Sequence, residues 1–87
     1  YTVLPPESIL NDLAYGFLNN GQNDKAYQLF SLIIKDYPQS FNAYDSMGDY
    51  YNAQKNKEKA IEYFRKAYQI RQFPDTKKKL DELLQQK

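Results

Sequence analysis

The side chains that could act as nucleophiles, acids or bases in this sequence are four serines and a set of carboxylates. The serines are Ser8, Ser31, Ser40 and Ser46. Serine becomes a nucleophile only beside a base, and the 87 residues contain neither histidine nor cysteine. Histidine-based catalysis, thiolate chemistry and zinc held by Cys or His are therefore excluded. No G-x-S-x-G turn and no glycine-rich phosphate loop is present either. We expect a non-catalytic chain without a cofactor.

Two carboxylates are spaced so that a helix would bring them onto one face. Asp45 and Asp49 are four residues apart, which is one helical turn. In principle such a pair could share a cation. We expect a solvated polar face here instead, and no metal site.

Hydrophobic periodicity predicts that helices position these groups, and no segment alternates as a strand does. Pro and Gly lie at the edges of the periodic segments, at Asn20-Gly21, Tyr37-Pro38 and Phe73-Pro74. The residues expected to cap the second, third and fourth helices are Asn23, Ser40 and Asn56. The predicted helices run from Glu7 to about Asn19, from Asn23 to about Asp36, after Ser40, after Asn56 and from Asp75.

When the sequence is aligned with itself at a shift of about 34 residues, so that Ala14 matches Gly48, two similar units appear. At this shift, which we call one repeat length, the small residues Ala26 and Ala60 also coincide. Bulky residues coincide around them, in the pairs Leu13 and Met47, Phe17 and Tyr51, and Phe30 and Phe64. Small side chains let paired helices approach closely, and the bulky ones fill the volume around that crossing.

This pattern resembles the tetratricopeptide repeat family, in which bulky, small and aromatic positions recur with a period of about 34 residues. The resemblance implies an all-α fold, an α-α superhelix of two helix-turn-helix repeats closed by a C-terminal capping helix. The expected organisation is an extended segment 1–6, repeats 7–40 and 41–74, and the capping helix 75–87. The sequence departs from the family pattern at Ile33, where Ala is usual, at Lys55, where the turn Gly would lie, and at Gln72, where Pro would lie.

A second resemblance is narrower. Pro5-Pro6-Glu7-Ser8 and the stretch 37–48, above all Tyr44-Asp45-Ser46-Met47-Gly48, are similar to repeat tails appended to bacterial serine hydrolases of the esterase and β-lactamase-related kinds. The chain begins at Tyr1, and we expect a piece of a longer polypeptide. The resemblance implies a C-terminal, non-catalytic module of such an enzyme.

The tetratricopeptide resemblance also implies a binding role, because the first helix of each repeat lines the concave surface in that family. The positions that match are Ser8, Asn11, Asp12, Tyr15 and Asn19 in the first repeat, and Asn42, Asp45, Ser46, Asp49 and Asn52 in the second. Amides and carboxylates there could hydrogen-bond an extended peptide, and their charge favours a basic segment. We expect a protein or peptide partner.

Two repeats are fewer than the three that stacked repeats usually need. The predicted end helix covers one face through Leu80, Leu83 and Leu84, but the N-terminal face has no cover. We expect Ile9 and Leu10 to lie at an uncapped edge that docks on an upstream domain or a second copy.

The charge is distributed unevenly. Residues 55–87 carry ten of the twelve Lys and Arg, whereas residues 1–54 are acidic. The open alternative is therefore a basic C-terminal face that binds nucleic acid or another anion through Arg65, Lys66, Arg71 and Lys77-Lys78-Lys79, beside Tyr63, Tyr68 and Phe73. We expect no nucleic acid and no membrane partner. The absence of cysteine leaves a cytoplasmic or a periplasmic, exported location open.

Overall fold

A computed structural model of the chain describes residues 7–85, which form five helices and no strand. The helices are α1 (Glu7–Asn19), α2 (Asn23–Asp36), α3 (Phe41–Ala53), α4 (Lys57–Ile70) and α5 (Pro74–Gln85). The predicted extended segment 1–6 and the last two residues of the predicted capping helix lie outside the described residues. None of these five helices is long and apolar enough to cross a membrane.

Two of the three predicted caps are confirmed. The Ser40 hydroxyl oxygen accepts a hydrogen bond from the backbone N–H of Ala43 at 3.4 Å, and Asn56 Oδ1 accepts one from the N–H of Lys59 at 3.3 Å. The prediction for Asn23 is wrong. The Gln22 carbonyl already accepts the first helical hydrogen bond, from Ala26 N–H at 3.1 Å, so Asn23 is the first residue inside α2.

The two repeats turn in the same way between their paired helices. Gly21 has φ of 78°, and Lys55, one repeat length later, has φ of 66°. Both therefore adopt the left-handed backbone conformation, which glycine tolerates and a residue with a Cβ atom adopts at a cost. The departure from the family pattern at Lys55 changes the residue but not the turn.

Helices α1 and α2 pack as one pair and α3 and α4 as the next. Ala14 and Ala26 are fully buried in one cluster with Phe30, as their small size predicts. In the second pair, Gly48 lies directly against the ring of Phe64.

The pairs stack in chain order, with α3 packed against both α2 and α4, and α5 covering α4. Leu80 and Leu83 of α5 join the cluster that contains Ala60 and Phe64. The prediction that Leu84 covers the same face is wrong, because its side chain is 49% exposed. Thr76 is buried in α5.

Candidate functional site: the polar ladder and the N-terminal edge

A row of hydrogen bonds joins the first helix of one repeat to the first helix of the next. Tyr15 Oη donates to Asp49 Oδ2 at 2.5 Å, and Ser46 Oγ donates to Asn11 Oδ1 at 2.5 Å. Both bonds connect α1 to α3, about one repeat length apart in sequence. They tie the two repeats together on the face that the family resemblance places on the concave side.

The row continues from α3 to α5. Thr76 Oγ1 donates to Asp45 Oδ1 at 3.0 Å. The Lys79 ammonium donates to Asp45 Oδ2 at 3.0 Å and to Asp49 Oδ2 at 3.1 Å. It also lies 5.6 Å from the centre of the Phe64 ring. We call this set the polar ladder: Asn11, Tyr15, Asp45, Ser46, Asp49, Thr76 and Lys79.

Burial and charge shift the acid–base behaviour of the ladder. Burial, and then the charge of Asp49, raise the pKa of the Tyr15 hydroxyl. Burial also raises the pKa of the Asp49 carboxyl, and the hydrogen bond from Tyr15 and the charge of Lys79 oppose this rise without cancelling it. Burial alone would lower the pKa of Lys79, but the hydrogen bonds and charges of Asp45 and Asp49 outweigh it and raise that pKa.

The expectation of a solvated polar face at the Asp45 and Asp49 pair is therefore wrong. The side chains of Asp45 and Asp49 are only 14% and 25% exposed, and they share a cation that the chain itself supplies, the ammonium of Lys79. Among residues 7–85 no group of three or more histidine, cysteine or carboxylate side chains is placed to hold a metal ion.

The predicted concave residues fall into two groups. Asn11, Tyr15, Asp45, Ser46 and Asp49 belong to the polar ladder, where their polar atoms bond to one another or to α5. Asn42 is half-buried, and the exposed members are Ser8, Asp12, Asn19 and Asn52. A partner-binding role for this face remains a prediction.

Sequence reasoning missed Thr76 and Lys79 as ladder residues. A signal for them exists, because Thr76 lies one repeat length after Asn42, and Lys79 lies the same distance after Asp45. Treating α5 as the first helix of a third unit, and not only as a solvating cap, would have placed both side chains on the same face.

A second surface lies at the start of the stack, and we call it the N-terminal edge: Ile9, Leu13, Phe17, Leu29 and Leu32. The side chains of Ile9, Leu13 and Leu32 are 56%, 52% and 41% exposed. An open groove of about 410 Å³ runs between Leu13 and Leu32 and is lined mainly by apolar side chains.

Leu10, which we expected at the same edge, is only 8% exposed and belongs to the core cluster. The reason is helical geometry. Leu10 shares the inward face of α1 with Ala14, four residues on, whereas Ile9 and Leu13 occupy the neighbouring outward stripe.

Several basic residues of the C-terminal half already interact with neighbouring side chains. Lys77 pairs with Asp81 at 2.8 Å, the Arg71 guanidinium lies 5.3 Å from the centre of the Phe41 ring, and Lys66 lies 5.1 Å from that of Tyr63. Lys79 belongs to the polar ladder. A nucleic-acid role for this half stays a prediction.

The paired helices, the stacking in register and the ladder along the first helices define a helical-repeat protein of the α-α superhelix class. A family model for the tetratricopeptide repeat matches residues 12–40 and 43–76, and the chain belongs to that family. Tetratricopeptide repeats generally mediate protein–protein interactions, and domains built from them are typically non-catalytic. A search of curated proteins found no match.

Proposed function

We propose that this chain is a non-catalytic interaction module that binds a protein partner through its N-terminal edge. The observation that carries the proposal is the exposure of Leu13 and Leu32 along one mainly apolar groove, with Ile9 also exposed one helical turn before Leu13. Contiguous exposed apolar side chains mark interaction sites, because leaving them in water forgoes the stabilisation that burial would provide.

The polar ladder supports this choice of surface. Its Asp45 and Asp49 carboxylates are already bound to Lys79, and no buried side-chain polar atom of residues 7–85 lacks a hydrogen-bond partner. A peptide on the concave face would have to replace bonds that the fold already makes. A partner at the N-terminal edge only displaces water from apolar groups.

Site-specific photo-crosslinking in cells that produce the protein tests the proposal. A benzoylphenylalanine side chain is placed at Leu13 on the edge, at Asn52 on the concave face, or at Leu84 on α5. We expect a crosslinked protein partner from position 13 and none from position 84. Crosslinks from position 52 alone would show that the partner binds the concave face, and this would contradict the proposal.

We further propose that the partner is an adjoining domain of the same polypeptide. Support comes from the resemblance of the stretch 37–48 to the repeat tails of bacterial serine hydrolases, and such a parent could be exported. In the full-length protein, an intramolecular crosslink from position 13 to a hydrolase domain is the expected result. A reading frame without any such domain would contradict it.

The alternative is that the C-terminal half binds nucleic acid, and it predicts binding that depends strongly on salt. Single-stranded RNA should bind at low salt and dissociate steeply as salt rises, because phosphate contacts release counterions. Filter binding at two salt concentrations measures this. Retention at low salt that Lys78→Glu abolishes would favour the alternative, whereas no retention at low salt would exclude it.

A further inference from the structure

The turn between α1 and α2 contains the dipeptide Asn20-Gly21. Both residues are exposed, and Gly21 has the left-handed φ of 78°. The side-chain amide of an asparagine can be attacked by the backbone nitrogen of the following residue, which closes a succinimide ring. Glycine in the following position leaves this attack unhindered, because it has no Cβ atom.

The other asparagines lack this combination. Each of them precedes a residue that carries a Cβ atom, and they are Asn11, Asn19, Asn23, Asn42, Asn52 and Asn56. Two are also held by their side-chain oxygens, since Asn11 accepts a hydrogen bond from Ser46 and Asn56 accepts one from the backbone of Lys59. Asn20 is therefore the asparagine that is most open to ring closure.

The attacking atom would be the backbone nitrogen of Gly21. Its N–H donates to the Leu18 carbonyl at 3.1 Å, in the exposed turn that follows α1. Hydrogen bonds at helix ends open with little free energy, whereas those in the packed middle of a helix open rarely. Opening of this one bond frees the nitrogen to lose its proton to solvent and to attack Cγ of Asn20.

The turn of the second repeat has the same backbone geometry but different side chains. The Lys55 N–H donates to the carbonyl three residues earlier at 3.1 Å, as the Gly21 N–H does. Gln54 and Lys55 lie one repeat length after Asn20 and Gly21. A glutamine side chain closes its larger ring much more slowly, and the Cβ atom of Lys55 hinders the attack. The chain thus contains a reactive turn and an unreactive turn of matched shape.

We infer that Asn20 is a site of spontaneous modification, at which the chain converts this asparagine to aspartate and isoaspartate. The Gly21 nitrogen forms a bond to Cγ of Asn20, and the side-chain nitrogen leaves as ammonia. Water then adds to one of the two carbonyls of the succinimide and breaks its bond to the Gly21 nitrogen. Addition at Cγ gives aspartate, whereas addition at the backbone carbonyl gives isoaspartate, whose main chain runs through the former side chain.

The isoaspartate product weakens the turn in two ways. It lengthens the main chain by a methylene group inside the loop that Gln22 N–H closes by donating to the Phe17 carbonyl at 2.9 Å. It also places a carboxylate at the C-terminal end of α1, where the helix dipole disfavours negative charge. The equilibrium constant for unfolding should therefore rise by about fivefold.

Incubation of the 87-residue chain in mildly alkaline buffer tests the site. Peptide mapping by mass spectrometry locates each asparagine whose NH₂ group has been replaced by OH, and a methyltransferase specific for isoaspartate labels that product. We expect Asn20 to react about tenfold faster than any other asparagine, because only glycine leaves the attack open. Asn20→Gln should abolish the reaction, and the double variant Gln54→Asn, Lys55→Gly should gain it at position 54.

The consequence for the turn is measured on the modified protein, which ion exchange separates because each event adds a negative charge. The control is Asn20→Asp, which adds the charge without the extra main-chain carbon. We expect the urea midpoint to fall from the unmodified chain to Asn20→Asp and again to the isoaspartate form.

Three results would overturn the inference. Absence of reaction at Asn20 in the folded chain is the first, and a peptide of residues 15–27 that does react would identify protection by the turn as the cause. Equal reaction at all asparagines would remove the special role of Gly21. An isoaspartate form as stable as Asn20→Asp would show that the lengthened main chain does not weaken the turn.

Discussion

Gly48 of α3 lies so close to Phe64 of α4 that a Cβ atom built on Gly48 would stand 2.5 Å from two carbons of the ring. Phe64 is fully buried, so the ring has no free space to enter. The first repeat has Ala14 at the equivalent position and Phe30 opposite, and it holds both without exposure. The close approach is therefore particular to the second repeat.

We predict that Gly48→Ala destabilises the protein by about 1–3 kcal/mol, because overpacking outweighs the gain in helix propensity of about 1 kcal/mol. The control is Gly16→Ala in α1, where an added Cβ meets nothing within 4 Å. That variant should be more stable by up to about 1 kcal/mol. Urea unfolding followed by circular dichroism measures both. Equal effects of the two substitutions would contradict the close approach at Gly48.

Lys55 adopts the left-handed conformation that Gly21 adopts in the first repeat. We predict that Lys55→Gly raises the free energy of unfolding by about 0.5–1 kcal/mol, since relief of the Cβ clash exceeds the entropy that glycine loses. Gly21→Ala should lower the free energy of unfolding by about 1 kcal/mol. Thermal unfolding measures the changes, and Lys55→Ala, which keeps the Cβ, should show no gain. A gain equal to that of Lys55→Gly would point to the charge of Lys55.

The ammonium of Lys79 neutralises two carboxylates at once. We predict that Lys79→Met costs about 1–2 kcal/mol, less than a fully buried pair would, because the lysine side chain is 36% exposed. The control is Lys77→Met, which removes a surface ion pair with Asp81 and should change the melting temperature little. Similar losses in both variants would argue against a special role of the ladder.

The same variant has a pH signature. The pKa of Asp49 is raised above its ordinary value of 3.8, so the folded state takes up this proton at a higher pH than the unfolded state does. Removing Lys79 raises that pKa further. As the pH falls from 7 toward 4, protonation of Asp49 should therefore shrink the stability deficit of Lys79→Met. A deficit that is constant over this range would indicate lost packing instead of lost charge.

Stability should fall in alkali. The pKa of the Tyr15 hydroxyl is raised above its ordinary value of 10.0, and burial raises the pKa of Tyr51 to about 12. Above pH 10 the unfolded state therefore loses these protons first, and each such tyrosine lowers the free energy of unfolding by up to about 1.4 kcal/mol per pH unit.

Urea midpoints between pH 8 and 11.5 measure this decline. Tyr15→Phe removes one of the protons and should make the alkaline slope shallower. At pH 7 the same variant should be less stable by about 1.5–3 kcal/mol, the usual contribution of a hydrogen bond to a charged group. An unchanged slope would show that the pKa of Tyr15 is the same in the folded and the unfolded state.

Local features of the sequence determined most of the helix boundaries and the repeat. Proline and glycine end helices through the backbone of one or two residues, and Ser40 and Asn56 cap the helices that follow them, so these could be predicted without a fold. Likewise, the small residues Ala14 and Ala26 predict a close helix crossing, although the sequence alone does not show which helix lies opposite.

Only the tertiary structure decided which polar groups meet and which apolar groups stay exposed. Lys79 reaches Asp45 and Asp49 because α5 stacks as a further first helix, and nothing local to Lys79 requires this. The burial of Leu10 and the exposure of Ile9 depend on how α1 is rotated about its axis, and packing on its neighbours sets that rotation. Periodicity tells which residues share a face of a helix, whereas contacts between helices decide what that face touches.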